Sequence, residues 1–271
     1  MTYITILLII LIVFLLYFLM VCPNLSRKEK LKPYLRREWA HRGLHDISQL
    51  IPENSMFAFT EAMKSGYAIE LDVHLTSDRK VVVFHDDNLK RLCGVDETIN
   101  HLTYAQLQKL HLCGTFERIP LLSEVLDYVY GQVPLLIEIK MPKKDTLICK
   151  YVKAELDSYK GDYLIQSFNS LALHWFRKNS PDTLRGQLSC NLTKSDHDNP
   201  YFVRFLVKHL LTNGYGRPDF ISYKFEDTHN FGLWLNQRIL GVPIAVWTLR
   251  TSADLKKAKA NYDMFIFENI K

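Results

Sequence analysis

The chain has 271 residues, is 48% hydrophobic and carries a formal net charge of +5. That length suits one large α/β domain or two small ones, and no repeat or low-complexity stretch interrupts it. Between Cys22 and Arg37, six cations (Arg27, Lys28, Lys30, Lys32, Arg36, Arg37) face only Glu29, which accounts for the whole excess; the near-neutral remainder has no basic, aromatic-studded face and excludes a nucleic-acid partner.

The first element is an apolar run over residues 3–21, interrupted only by Thr5. Its length matches a bilayer crossing at about 1.5 Å per residue. No Lys or Arg precedes it and "LMVCPN" is not a small-residue cleavage site, so it reads as a retained anchor over residues 1–22. The basic stretch 23–37 then reads as a juxtamembrane linker against anionic headgroups. It should hold the following domain, residues 38–271, in the cytoplasm. Five cysteines without a C-x-x-C pair fit that reducing compartment.

Beyond the linker, strand-like and helix-like runs alternate. The strand candidates are 38–43, 68–73, 81–86, 135–140, 163–168, 184–189, 219–224, 244–249 and 264–269. Their apolarity is continuous rather than alternating, as in parallel strands covered on both faces. The residues between Val73 and Val81 are too few for a crossover helix, so 68–86 should fold as a hairpin. Setting one hairpin arm aside leaves eight strands, which predicts a TIM (β/α)8 barrel. Residues 88–120 lack a strand signal and read as an insertion after the third strand. The segment "YFVRFLVKHLL" reads as a barrel helix, with membrane or lid contact as the alternative.

Charged and polar residues sit at strand ends, where such barrels carry their chemistry. They are His41 and Arg42, Glu70 and Asp72, His85, Glu138 and Lys140, Gln166, and Trp247. Residues two apart on a strand share a face, so Glu70 joins Asp72 and Glu138 joins Lys140. Three carboxylates converging in an apolar barrel suit a hard divalent cation, Mg²⁺ or Ca²⁺. An Arg and a Lys beside it would cradle a phosphate, and two imidazoles would supply acid and base. Together they describe metal-assisted hydrolysis of a phosphodiester.

The same residues carry a resemblance. "HRG" (41–43), "PENS" (52–55), "ELDVHLTSDRKVVVFHDD" (70–87), "IPLLSEVL" (119–126), "IEIK" (137–140), "QSFN" (166–169) and "VWTL" (246–249) follow one another as in the glycerophosphodiester phosphodiesterase family. The chain resembles that family from about Glu38 to Leu249. The resemblance implies a TIM barrel, a Mg²⁺ or Ca²⁺ on Glu70, Asp72 and Glu138, and an acid/base pair in His41 and His85. It implies phosphate contacts from Arg42 and Lys140, with Glu53 and Asn54 bracing the site. Gln166 and Trp247 are expected against the substrate. The implied reaction yields an alcohol and glycerol 3-phosphate. The alternatives are a lysophospholipase D-like enzyme acting on a membrane lipid and a non-catalytic barrel module.

Two segments depart from the family pattern: "FENIK" closes the chain, and Leu249-Arg250 follow Trp247-Thr248. Asp86 is read either as orienting His85 or as a loop cap. His45, His74, His101, His111, His174, His197, His209 and His229 read as surface or structural residues, with His74 nearest the site by its period.

Overall fold

Eight parallel strands close into a barrel in the computed structural model, which describes residues 2–141, 144–194 and 200–270. The nine strands are β1 (Glu38–His41), β2 (Ala68–Leu75), β3 (Val81–Val83), β4 (Leu135–Ile139), β5 (Tyr163–Ser167), β6 (Arg185–Ser189), β7 (Phe220–Lys224), β8 (Ile244–Leu249) and β9 (Met264–Phe267). β1 pairs with β2 on one side and with β9 on the other, which closes the ring. β3 is the arm set aside: it runs antiparallel to β2, with Val73 opposite Val83, and stands outside the barrel. The register puts His41 opposite Glu70, Asp72 opposite Glu138, and Glu138 opposite Gln166. Sequence-distant polar residues thus share neighbouring levels near one end.

Local sequence explains the helices that wrap this ring. The helix Met56–Lys64 starts where the Ser55 side chain accepts from Ala58 N at 3.1 Å, and it buries Ala58, Phe59 and Ala62 against the barrel. Such a cap contributes about 1 kcal/mol. Residues 88–120 form an insertion of short helical turns rather than one long helix. Their own small core joins Leu89, Leu92, Ile99 and Leu107 to Phe84 and Val82.

The basic stretch is not a free linker. Leu31 and Tyr34 plug the floor of the barrel together with Trp39, Leu136, Leu164 and Phe220. Arg27 pairs with Asp219 just before β7, Lys28 donates to Leu240 O, and Arg36 donates to Tyr262 O and Lys259 O. The cations expected to meet lipid headgroups therefore answer carbonyls and a carboxylate at the closed end of the barrel.

The helix Thr2–Val21 is long and apolar enough to cross a membrane by length and composition, and almost none of Tyr3–Val21 is buried. All five cysteines are free thiols.

One buried carboxyl outside the site makes a pH-dependent prediction. Burial pushes Glu155, on the helix Leu147–Leu156, up to about 7, and one of its oxygens has no hydrogen-bond partner. A carboxyl with a raised folded-state pKa costs stability once pH passes its unfolded value, and the cost grows until the folded value is reached. Glu155→Gln is therefore expected to stabilise the fold by about 1 kcal/mol at pH 8, after allowance for solvent screening. Calorimetry should show Tm higher by about 2–4 °C at pH 8 and nearly unchanged at pH 4.

Candidate active site

The site begins where β1 ends. Arg42 and Gly43 both take positive φ, at 59° and 79°, so the chain turns sharply after His41. A Cβ at position 43 would lie 2.8 Å from Ala58 Cβ, which is why glycine stands there. The turn aims Arg42 N at Glu70 Oε2 (3.1 Å) and its guanidinium at Glu53 (2.6 Å) and Asp72 (3.6 Å). Asn54, fully buried with φ 53°, donates to Asp72 Oδ2 at 2.9 Å, and its backbone N–H donates to Arg42 O. The "HRG" and "PENS" segments are thus two halves of one brace around the β2 carboxylates.

Glu70, Asp72 and Glu138 are all buried and offer oxygens within 4.8 Å of one another. Lys140 Nζ lies 2.6 Å from Glu138 and 3.0 Å from Asp72. Lys140 and Arg42, whose guanidinium also pairs with Glu53, do not balance three buried carboxylates. Burial, with the charges of Asp72 and Glu138, pushes Glu70 well above the usual carboxylate range. Burial also raises Glu138, opposed by Lys140. Burial works against ionisation of Asp72 too, but Lys140, His85 and Arg42 outweigh it and hold the group below its usual value. An all-oxygen donor set with surplus negative charge fits a hard dication, whose ligand oxygens lie about 2.0–2.6 Å away.

The two imidazoles stand in different surroundings. Burial lowers His41 to about 4, against the opposing contact of its Nδ1 with Glu268 Oε2 at 3.2 Å. His41 is therefore neutral near pH 7, and a proton on Nδ1 toward Glu268 leaves Nε2 as a lone pair. His85 is less enclosed, and its Nδ1 faces Asp86 Oδ1 at 2.6 Å. Arg91, from the insertion, holds Asp86 through Nε at 2.7 Å and grips Glu53 with both terminal nitrogens at 2.8 Å. Asp86 therefore orients His85 and does not merely cap the loop.

Every residue expected at the site is brought to this end of the barrel. A cavity of about 200 Å³ touches His41, Arg42, Glu70, Glu138, Lys140 and Gln166. Gln166 spends its amide on Glu70 Oε1 at 3.2 Å. Trp247 stands edge-on to Phe168, with ring centroids 5.8 Å apart, at the passage into a second cavity of about 770 Å³. Glu138, Lys140 and His85 line that cavity at one end, and Met141, Leu192, Val203 and Val207 make it apolar farther out.

A sequence model of the glycerophosphoryl diester phosphodiesterase family matches residues 41–270, which takes in β2 to β9, the end of β1 and all of these side chains. The chain belongs to that family. Among its curated relatives, a human lysophospholipase D is 34% identical over 161 residues, 55% of this chain and 49% of that protein. A glycerophosphodiester phosphodiesterase from Caldanaerobacter subterraneus subsp. tengcongensis is 33% identical over 171 residues, 58% of this chain and 69% of that one. The match thus spans about half the length of the human relative. Solved structures share the barrel. A Thermotoga maritima glycerophosphodiester phosphodiesterase superposes with TM-score 0.66 at 26% identity, covering 85% of this chain and 93% of that chain. An Oleispira antarctica phosphodiesterase, determined in complex with the product sn-glycerol-3-phosphate, superposes with TM-score 0.71 at 22% identity, covering 87% and 94%.

The two departures from the family pattern meet each other. Arg250 Nη2 donates to Glu268 Oε2 at 3.0 Å, and Glu268 in turn faces His41. In the sequence, Arg250 and the segment holding Glu268 register only as departures from the family pattern, and Arg91, which comes from a short helix of the insertion, is not singled out. The signal available was that both departures introduced charge at the mouth. His45, read as a surface or structural residue, is largely buried with Nε2 3.8 Å from Glu268. His74 faces His85 O at 3.1 Å from a buried position, a supporting contact. His197 lies outside the described residues.

Asn54 offers a direct test of the brace. Asn54→Gly keeps the positive φ accessible but removes the bond to Asp72. Loss of such a supporting contact is expected to weaken dication affinity about 10–100-fold, read by titration calorimetry with Mg²⁺ or Ca²⁺.

Proposed function

We propose that the protein hydrolyses glycerophosphodiesters to an alcohol and glycerol 3-phosphate, with Mg²⁺ or Ca²⁺ held by Glu70, Asp72 and Glu138. The observation that carries this reading is the convergence of three buried carboxylates within 4.8 Å of one another beside Lys140, Arg42 and two imidazoles. The dication, when bound, supplies Lewis-acid stabilisation of charge on the phosphoryl oxygens. Lys140 and Arg42 add fixed positive charge for those oxygens and exclude a neutral carboxyl ester. His41, neutral and tautomerically fixed by Glu268, takes the proton of the nucleophile, which is water or the glycerol hydroxyl next to the phosphate acting through a cyclic phosphate that water then opens. His85, oriented by Asp86, gives a proton to the departing alkoxide. Trp247 and Phe168 wall the passage into the larger cavity, through which the part of the substrate beyond the phosphate extends.

A second reading concerns what the glycerol carries, because release of the head-group alcohol leaves any acyl chain on the glycerol phosphate. The outer walls of the larger cavity, Met141, Leu192, Val203 and Val207, suit an acyl chain better than a free choline or glycerol. The resemblance to a lysophospholipase D, together with a helix able to span a bilayer, supports a lysophospholipid as substrate. By the same reading, residues Tyr3–Val21 are a single membrane span and the following basic residues keep the barrel cytoplasmic.

The test is product analysis by phosphorus NMR on glycerophosphocholine and lysophosphatidylcholine, using the full chain in detergent, with and without EDTA. Glycerol 3-phosphate from the first, or the lysophosphatidate from the second, in a chelator-sensitive reaction is expected. Turnover of both that EDTA leaves untouched would sink the metal-dependent reading, and turnover of neither would sink the enzyme.

A further inference from the structure

The N-terminal helix follows a defined path along the barrel wall. Asn24 N donates to Pro218 O, and Arg27 pairs with Asp219, both beside the start of β7 at the closed end. Higher up the wall, Asn213 Nδ2 donates to Val21 O at 3.1 Å. One turn further, the Tyr17 ring stands 6.1 Å from that of Phe231, which follows β7 on the side of the active site. The helix therefore climbs from the floor to the mouth. Its exposed remainder continues beyond that contact, and the 14 steps from Tyr17 back to Tyr3 span about 21 Å at 1.5 Å per residue.

The rim it passes is apolar in an unusual way. The helix Tyr201–Lys208 does not pack as an ordinary barrel helix. Ser189 Oγ donates to Val207 O and Tyr223 Oη to Lys208 O, both at 2.8 Å, so its last turn is tied to the C-terminal ends of β6 and β7. The rest of the helix stands above the strands. Its inner side walls the 770 Å³ cavity with Val203 and Val207. Its outer side presents Tyr201 and Phe202, 62% and 67% exposed. Phe231 and Trp234, 62% and 49% exposed, follow β7 and stack on each other with centroids 5.7 Å apart, and Asn230 just before them donates to Lys208 O at 3.1 Å at the end of that helix. Leu50 and Phe116 are exposed on the opposite side of the mouth, in the loops after β1 and β3. A water-facing rim has no need of so many bare aromatic rings.

We infer that this rim is a bilayer-contact surface: the Tyr201–Phe202 and Phe231–Trp234 aromatics form an interfacial collar that seats the open end of the barrel on the membrane from which the N-terminal helix descends. The occupant is lipid because the collar is continuous with the spanning helix through the Tyr17–Phe231 contact. Tyr and Trp at the end of an apolar span are also the residues that settle at the headgroup level. The basic stretch 27–37 sits at the opposite end and takes no part. A substrate then enters sideways from the lipid layer, its acyl chain lying along Val203 and Val207 and its phosphate reaching Lys140. This rests on reading Tyr3–Val21 as a span and the site as a phosphodiesterase.

Tryptophan quenching by bromine-bearing lipids tests the geometry independently of activity. Among the four tryptophans, Trp39 lies in the floor, Trp175 on the helix Ser170–Asn179 and Trp247 in the site, so only Trp234 belongs to the collar. With the full chain in phosphatidylcholine vesicles carrying brominated acyl chains, emission should be quenched, and Trp234→Phe should remove at least half of that quenching. In a second measurement, Phe202→Asp with Phe231→Asp should slow hydrolysis of vesicle-borne lysophosphatidylcholine about 10-fold, for the lost apolar insertion, and leave soluble glycerophosphocholine within about twofold. Quenching unchanged by Trp234→Phe, as for a collar that binds another protein instead, would overturn the inference. So would equal rates of the double variant and the parent on the vesicle substrate. A parent inactive on both diesters would refute the phosphodiesterase reading alone, and the quenching result would still decide the collar.

Discussion

Glu70→Gln is expected to abolish hydrolysis while making the metal-free protein more stable. Glu70 is buried beside Asp72 and Glu138, and among the described residues Lys140 and Arg42 are the cations that offset its charge. Removing one negative charge relieves that repulsion, and a glutamine Oε1 can still accept from Arg42 N or Gln166 Nε2. The gain should appear as a higher Tm in EDTA, the trade-off met where a site is built for a ligand rather than for the fold. The parent protein should recover the difference when the dication is added, by about 2.7 kcal/mol at a hundred times Kd. At about 2–4 °C per kcal/mol for a domain of this size, that is a shift of roughly 5–10 °C. The variant should show little of it. Loss of a charge-stabilising ion worth about 4 kcal/mol in the transition state lowers kcat/KM about 10³-fold. Calorimetry with and without Mg²⁺ or Ca²⁺, beside rates on glycerophosphocholine, separates this pattern from simple unfolding. A variant less stable than its parent in EDTA, still responding fully to the ion, would show that Glu70 is no ligand.

The parts of this site that could be read from sequence share one physical property. Glu70, Asp72, Glu138 and Lys140 interrupt apolar strands, where a charge has no cheap solution unless neighbours or an ion receive it. Period-two alternation then assigns them to one face without any knowledge of the fold. The hairpin over 68–86 was legible for a similar reason: too few residues separate its arms for a helix. The supporting shell was not legible in this way. Arg91 reaches Glu53 across 38 positions, and Glu268 reaches His41 across 227, from segments with no periodic pattern. The packing of the basic stretch was not legible because charge was weighed and spacing was not. Leu31 and Tyr34, three apart, mark one face of a turn that plugs the floor, and Arg27 answers Asp219, 192 positions away. "YFVRFLVKHLL" has the pattern of a barrel helix, yet its last turn is pinned at the top of β6 and β7, and Tyr201 and Phe202 stay exposed.

The two histidines should separate by leaving group. His85→Ala removes the proton donor for the departing alkoxide, which costs about 10²–10⁴-fold when the leaving group is an aliphatic alcohol. A nitrophenyl diester releases an anion stable enough to depart unprotonated, so the same variant should lose less than about 10-fold on that substrate. His41→Ala removes the base at the attacking hydroxyl and should cost about 10²–10⁴-fold on both substrates, because the nucleophile is unchanged between them. The surroundings argue for this division. Burial holds His41 neutral, near 4, and Glu268 fixes its tautomer; His85 stands nearer the open cavity, where its ring is oriented by Asp86 and Arg91. Steady-state rates for parent, His41→Ala and His85→Ala on glycerophosphocholine and on the nitrophenyl diester decide it. Equal losses for His85→Ala on the two substrates would exclude it as the acid, and selective rescue of His41→Ala by the nitrophenyl group would exchange the two roles.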